Sequence, residues 1–333
     1  MVALDLSLLN SPTQSQLFCN DLLATLKSRG VARLANHGIP EETINKLFDM
    51  TRKFFAASHE DKMIAKHPPE STPNRGYSYV GQESVGNISG FEKGVSQVKS
   101  VKDIKETFDM GSPTDTLVDN IWMPEDKVPG FKTFMEDFYA QCFALEQTIL
   151  IALARALNVP ESQLVSLHSA AENEFRLLHY PAIPVSLLKD GTSTRIAEHT
   201  DFGTITMLFQ DSTGGLQVED QTCLGTFHGI ESNKTDIILN IGDSLQRLTN
   251  DTFRAACHRV TYPPTVKINE GEGEEEDEVI PERYSIAYFA KPNRNASLLP
   301  FSEFVDEGRP CRYNDLTAWE YNNLRIGKLY QVA

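Results

Sequence analysis

The chain carries the tripeptide His199-Thr200-Asp201, and a further histidine, His258, follows 59 residues after His199. No other feature restricts the fold so tightly. On extended backbone, residues i and i+2 project to the same side, so His199 and Asp201 can reach one point in space. His258 lies in the run Ala255-Ala256-Cys257-His258-Arg259-Val260, which also reads as extended. It can close on that point from another strand. Two imidazoles and one carboxylate converging in this way form a three-ligand metal face of the kind used by non-haem Fe(II), with the remaining positions left open.

A second pair supports the first. Arg283-Tyr284-Ser285 opens the run Arg283-Tyr284-Ser285-Ile286-Ala287-Tyr288-Phe289 and puts a guanidinium and a hydroxyl on one strand face. Arg offers paired donors in a fixed plane and Ser adds another, a fork suited to a carboxylate. A solvated strand charge is the plain alternative for Arg283. Its position 25 residues after His258, with Ser285 in phase, favours a site.

A chain of 333 residues can bury a substantial core without needing more than one domain. No run of 18 or more apolar residues is found, so no membrane span is expected. The opening Met1-Val2-Ala3-Leu4-Asp5-Leu6 has no basic segment ahead of an apolar one, so secretion is not expected. Cys19, Cys142, Cys223, Cys257 and Cys311 are scattered, with no Cys-X-X-Cys, which argues for a reducing, cytoplasmic setting. The net charge of −15 argues against a nucleic-acid partner, whose phosphates would be repelled. Much of that acidity is local: the run from Asn269 to Glu278, with Gly271 and Gly273 interspersed, reads as a solvated, mobile loop.

Along the chain, Gly30 to Gly38 reads as a short strand ended by a turn, and Pro40 starts a helix through Phe55 with Ile44, Leu47 and Phe48 at helical spacing. A connection rich in proline (Pro68, Pro69, Pro73) leads to Arg75-Gly76-Tyr77. A long apolar helix is predicted from Phe131 to Leu157, stopped by Asn158-Val159-Pro160, and is expected to back a sheet. From Glu174 on, strands dominate: Phe175–Tyr180, Thr204–Phe209, Gly215–Val218, Asp236–Ile241, Ala255–Val260 and Tyr284–Phe289. The tail from Leu316 to Tyr330 reads as helical. The expected class is mainly β with flanking helices, in an antiparallel sandwich or barrel. A mixed α/β region over 1–120 is expected to pack on a core over 121–333, making in effect one globular unit.

Taken in order, Asn36-His37-Gly38-Ile39-Pro40, Lys53-Phe54-Phe55, Arg75-Gly76-Tyr77, Lys105-Glu106-Thr107-Phe108, the His199/Asp201/His258 set, Gly214-Gly215-Leu216-Gln217-Val218, Asn240-Ile241-Gly242-Asp243 and Arg283/Ser285 carry a family likeness. The chain resembles the 2-oxoglutarate- and Fe(II)-dependent dioxygenases of the isopenicillin N synthase-like group over about residues 4–325. The resemblance implies a double-stranded β-helix (jelly roll) that holds Fe(II) on His199, Asp201 and His258. It also implies 2-oxoglutarate and O2 as cosubstrates, the distal carboxylate lying against Arg283 and Ser285, with Tyr180 as a weaker contact. One position departs from the pattern: Leu178 stands where such proteins often carry an Asn two residues before the Tyr.

The implied reaction turns 2-oxoglutarate into succinate and carbon dioxide and oxidises a C–H bond of a small organic substrate. No motif separates hydroxylation from desaturation or ring rearrangement, and none sets the oligomeric state. The Leu-Leu-His-Tyr-Pro form of residues 177–181 points to a fungal-type enzyme of secondary metabolism. Arg176 shares a strand face with Leu178 and Tyr180, making it a candidate partner for an acidic or phenolic substrate group; a structural ion pair is the competing reading. Phe289 is a candidate stacking surface, or equally a core residue. Thr107 and Tyr77 are placed near the entrance by the resemblance alone. His37, His59, His67, His168, His179 and His228 lack a carboxylate partner at strand spacing and are read as structural. Two rivals remain: an Fe(II) oxidase of the same fold that uses no 2-oxoglutarate, and a non-catalytic small-molecule-binding protein.

Overall fold

The structure, a computed structural model, describes residues 1–68, 73–88, 101–189, 191–231, 233–266 and 278–329. The acidic run over 269–277 and most of the proline-rich connection therefore lie outside the described residues. Two β-sheets face each other. The larger is built from β1 (Ala3–Asp5), β2 (Val31–Ala35), β3 (Gly76–Ser78), β4 (Glu106–Gly111), β5 (Glu174–Tyr180), β7 (Ile205–Gln210), β10 (Ile237–Ile241) and β12 (Arg283–Ala290). Its spatial order is β1-β2-β10-β7-β12-β5-β4-β3, antiparallel except for the β1–β2 pair. The smaller sheet runs β9-β8-β11-β6, all antiparallel, from β6 (Ile196–His199), β8 (Leu216–Glu219), β9 (Phe227–Gly229) and β11 (His258–Val260).

The large sheet is covered on both faces, and side-chain alternation divides the work. On β12, Tyr284, Ile286, Tyr288 and Ala290 join the main apolar core, whereas Arg283, Ser285, Ala287 and Phe289 point between the sheets. On β7, Ile205, Met207 and Phe209 enter the core while Thr206 and Leu208 face the gap. The same division holds on β10, where Ile237, Leu239 and Ile241 are core and Ile238 and Asn240 face inward.

The core face is backed by α1 (Ser15–Arg29), α2 (Glu41–Ala56) and α3 (Phe131–Leu157). The limits of α3 are those its apolar spacing predicts. Asn158 caps it at φ +56, a left-handed conformation that Asn tolerates, and Pro160 follows. By length and composition α3 could cross a membrane, but half of its most apolar window is buried inside the protein, with Phe138, Cys142 and Ile149 fully enclosed against the sheet. Two shorter helices, α4 (Asp243–Leu248) and α5 (Ala318–Leu329), lie near the mouth of the gap between the sheets.

A polar cluster is buried where α3 meets β12. The Glu146 carboxylate accepts from Asn173 Nδ2 at 2.7 Å and from the Tyr288 hydroxyl at 2.8 Å, and its other oxygen has no hydrogen-bond partner among the described residues. Burial pushes the Glu146 carboxyl up to about 8, so the protonated form suits the folded state. Its folded pKa is raised above the ordinary carboxylate value, so the stability it adds is full at low pH and is lost as pH climbs towards 8. We expect the melting temperature of Glu146→Gln, followed by circular dichroism from pH 5 to 8, to fall less with rising pH than that of the parent chain.

Candidate metal centre and its cavity

Antiparallel pairing of β6 with β11 sets His199 directly opposite His258. Their rings lie 4.3 Å apart, and each Nε2 is 3.9 Å from Oδ1 of Asp201. Two atoms bonded to one first-row ion at about 2.1 Å can be no more than about 4.2 Å apart, so these spacings fit a shared ion. Strand β6 ends at His199, so Asp201 belongs to the following turn rather than to an unbroken strand as the i, i+2 reading expected. Regular pairing in the second segment likewise covers only His258–Val260, less than the expected Ala255–Val260.

Hydrogen bonds select the chemical state of all three groups. Nδ1 of His199 lies 2.8 Å from the Ala197 carbonyl, and Nδ1 of His258 lies 2.9 Å from the Ala256 carbonyl. A carbonyl can only accept, so each Nδ1 carries the proton and each Nε2 keeps its lone pair. Burial, and next the neighbouring His258, push the His199 imidazole down to about 3, leaving it neutral at physiological pH. Burial of Asp201 works against its charge. Hydrogen bonds from Thr206 and Asn240 favour the charged carboxylate. Oδ2 of Asp201 accepts from Thr206 Oγ1 at 2.6 Å and from Asn240 Nδ2 at 2.8 Å, which turns Oδ1 towards the histidines.

The turn that carries Asp201 is held along its backbone. Arg325 of α5 donates to the Thr200 carbonyl at 3.2 Å, and Asp243 N–H to that of Asp201 at 2.8 Å. The Phe202 and Gly203 carbonyls accept from Ser244 Oγ and N–H, and the Thr204 carbonyl from Gly242 N–H. Arg325 also pairs with Asp243 at 2.6 Å, with both side chains buried. A side chain at Gly242 would meet the Gly203 carbonyl oxygen at 2.2 Å, so this close approach of two backbones requires glycine.

A cavity of about 1020 Å³, counting its open mouth, extends from the triad between the sheets. Arg283, Ser285 and Tyr180 line it, together with Leu178. Arg283 is fully buried, donates to Ser285 Oγ and to Gln210 Oε1 at 3.0 Å each, and lies over the Tyr180 ring at 4.9 Å. Its Nε and the Gln210 Nε2 are buried without a hydrogen-bond partner among the described residues. Leu178 faces Ser285 across the sheet, so the position that departs from the family pattern presents hydrocarbon. Phe289 also lines the cavity and is half-buried.

Of the remaining substrate candidates, Arg176 lines the cavity and Tyr77 and Thr107 do not. Arg176 reaches the cavity wall, but its Nε and Nη2 bond to Asp109 at 2.6 and 3.0 Å while Nη1 and Nη2 bond to Glu83 at 3.1 and 2.9 Å. Its guanidinium is thus committed to a buried ion-pair cluster, the competing reading, and breaking such a pair costs about 3–5 kcal/mol. Tyr77 is buried in the main core against Phe54, with its hydroxyl on Glu106 at 2.5 Å. Thr107 is buried, sits 3.4 Å from Asp109, and is not among the cavity-lining residues. Both lie further along the same sheet, Thr107 on β4 beside β5 and Tyr77 on β3 one strand beyond.

The other histidines are engaged elsewhere. His37 bonds the Thr235 carbonyl, His168 sits between the Leu164 carbonyl and Thr204 Oγ1, and His179 meets Glu106 while stacking on Tyr284. Asn240, Thr206 and Gln210 were missed as site residues. Only Asn240 had a signal, in Asn240-Ile241-Gly242-Asp243. We expect Asn240→Ala to weaken binding of a divalent first-row ion about 10–100-fold in a calorimetric titration, because Asp201 would lose one of the two bonds that aim it.

Comparison with known proteins agrees with this geometry. Residues 3–125 match the N-terminal region described as non-haem dioxygenase in morphine synthesis, and residues 172–292 match the 2OG-Fe(II) oxygenase superfamily. The chain is 44% identical over 319 residues to the 2-oxoglutarate-dependent dioxygenase gloF of Glarea lozoyensis, covering 95% of this chain and 94% of that protein. It is 44% identical over 322 residues to the proline hydroxylase buaE of Petromyces alliaceus, covering 96% and 95%. Among solved structures, a full-length Neurospora crassa protein in complex with alpha-KG superposes with a TM-score of 0.83 at 32% identity, over 98% of this chain and 96% of that one. With a paired His–Asp–His face and a buried arginine fork lining one cavity, the chain belongs to the 2OG-Fe(II) oxygenase superfamily and is a 2-oxoglutarate-dependent dioxygenase.

Proposed function

We propose that His199, Asp201 and His258 hold Fe(II), that Arg283 and Ser285 hold the distal carboxylate of 2-oxoglutarate, and that the facing sheets form a jelly roll around them. The observation that carries this reading is the set of unsatisfied donors opposite a tautomer-locked triad. The imidazole Nε2 atoms and Asp201 Oδ1 converge, whereas Arg283 Nε and Gln210 Nε2 lack acceptors that a carboxylate supplies. When bound, Fe(II) would activate O2 as the oxidant with 2-oxoglutarate as co-reductant, so that succinate and carbon dioxide form as a substrate C–H bond is oxidised.

The chain's own side chains select and protect. His199 and His258 offer neutral donors and Asp201 a single negative charge. Leu208, Leu216 and Val260 line the inner wall with hydrocarbon and exclude water from the reacting centre. Tyr180 sets its ring beside the arginine fork. Phe289, Phe202 and Ala287 give the substrate end an apolar wall, while the Glu174–Lys291 pair, 2.7 Å apart and buried, adds both charges.

We take the substrate to be a small amino acid or a metabolite built from one, and the reaction to be hydroxylation within secondary metabolism. The cavity wall is largely hydrocarbon, which suits a small substrate, and a relative 44% identical is a proline hydroxylase. A pyrimidine is the second reading, because the Neurospora crassa protein, also solved with alpha-KG and thymine, matches at 32% identity and TM-score 0.83. Cys19, Cys142, Cys223 and Cys311 form no disulfide among the described residues, which suits a reducing compartment.

The test is stoichiometric. Fe(II)-loaded protein given O2, 2-oxoglutarate and either L-proline or thymine should release succinate in step with hydroxyproline, with thymine giving only slow, uncoupled turnover. Coupled oxidation of thymine would replace the amino-acid reading. Product formed with no succinate would favour the oxidase rival. Asp201→Ala should abolish turnover and lower iron content at least 10-fold, measured by metal analysis.

A further inference from the structure

We infer that Arg195, outside the residues assigned above, is a second cationic positioning residue for the distal carboxylate of 2-oxoglutarate, acting on it through Tyr180 and its positive field. This rests on the 2-oxoglutarate reading of the cavity. Arg195 is fully buried just ahead of β6. Its Nη2 donates to the carbonyls of Pro181 at 3.2 Å and Pro281 at 2.5 Å, and its Nε and Nη1 have no partner among the described residues. The guanidinium lies over the ring of Tyr180 at 5.8 Å, the same ring that Arg283 lies over at 4.9 Å.

Two buried guanidinium groups thus share one phenol ring, and no salt bridge from either to a carboxylate occurs among the described residues. Proteins avoid this arrangement, because a buried charge without a counter-charge is costly and two of like sign repel. Burial, and then the charge of Arg283, pull the Arg195 guanidinium down to about 10, so it stays charged at neutral pH. Asp211 also acts on Arg195, and its Oδ2 already accepts from Tyr284 N–H. Arg283 Nε and Gln210 Nε2 are unsatisfied in the same region. The surplus of positive charge and donors is relieved by an anion entering beside Tyr180. Leu178 provides no hydrogen bond there, so charge from Arg195 offsets what the missing amide would supply.

The simpler role for Arg195 is mechanical: tying the Pro181 and Pro281 carbonyls, which adjoin β5 and β12. Binding measurements separate the two. Fe(II)-loaded full-length protein is titrated without air with 2-oxoglutarate, followed by visible charge-transfer absorption, and then with pyruvate, which lacks the distal carboxylate. In Arg195→Met we expect the Kd for 2-oxoglutarate to rise about 10-fold or more, that for pyruvate to change less than about 2-fold, and the melting temperature of the metal-free protein to stay level or rise. Arg195→Lys, which keeps the charge, should recover most of the loss. An equal loss for both ligands, or unchanged 2-oxoglutarate binding with a lower melting temperature, overturns the proposal. If Arg195→Met does not fold, Arg195→Gln takes its place: weaker 2-oxoglutarate binding than Arg195→Lys supports the role and equal binding overturns it. No response to 2-oxoglutarate in the parent chain would instead overturn the cosubstrate reading itself, and the inference with it.

Discussion

The orientation of one carboxylate governs the rest of the site. Asp201 has one oxygen held by Thr206 and Asn240 and the other turned towards two imidazoles. Without the first pair of bonds, a carboxylate on a turn would rotate and the histidines would face a mobile charge. Thr206 and Asn240 are directly opposite each other on β7 and β10, so the large sheet aims the acid while the small sheet supplies the histidines. The metal face therefore exists only when the two sheets are correctly packed, which couples chemistry to the tertiary fold.

Alternation along the central strands makes that packing possible. Each of β5, β7, β10 and β12 sends one set of side chains into the helix-backed core and the other into the gap. The core set is dominated by large apolar residues such as Phe175, Met207 and Tyr288, whose truncation typically costs several kcal/mol. The gap set can then hold polar groups. Buried Arg283, with unmet hydrogen-bonding capacity, is tolerated because the other face carries the fold.

Much of this was legible in the chain, and the gaps have physical causes. The triad could be read because His199 and Asp201 stand two residues apart and His258 sits in a second extended run, although Asp201 converges on the histidines from the turn after β6. Helix α3 could be read because its apolar spacing is regular and Asn158 and Pro160 end it. Phase within a strand was also readable: Arg283 with Ser285, Leu178 with Tyr180. What phase does not reveal is who stands across the sheet. The partners of Arg176 lie 67 and 93 residues away, at Asp109 and Glu83, and nothing near Arg176 announces them. Tyr77 and Thr107 failed for a related reason, since their strands join the sheet one and two places beyond β5. Asn240 stood inside a recognisable motif but received no role, because its bond to Asp201 spans 39 residues.

The latch on the Asp201 turn comes from far along the chain. Arg325, which closes the first carbonyl of that turn, lies 126 residues after His199 and 67 after His258. Its bond reaches the segment that carries the acid and not the strand pairing that sets His199 opposite His258. Loss of that bond would therefore loosen one corner of the triad while the paired histidines keep their places.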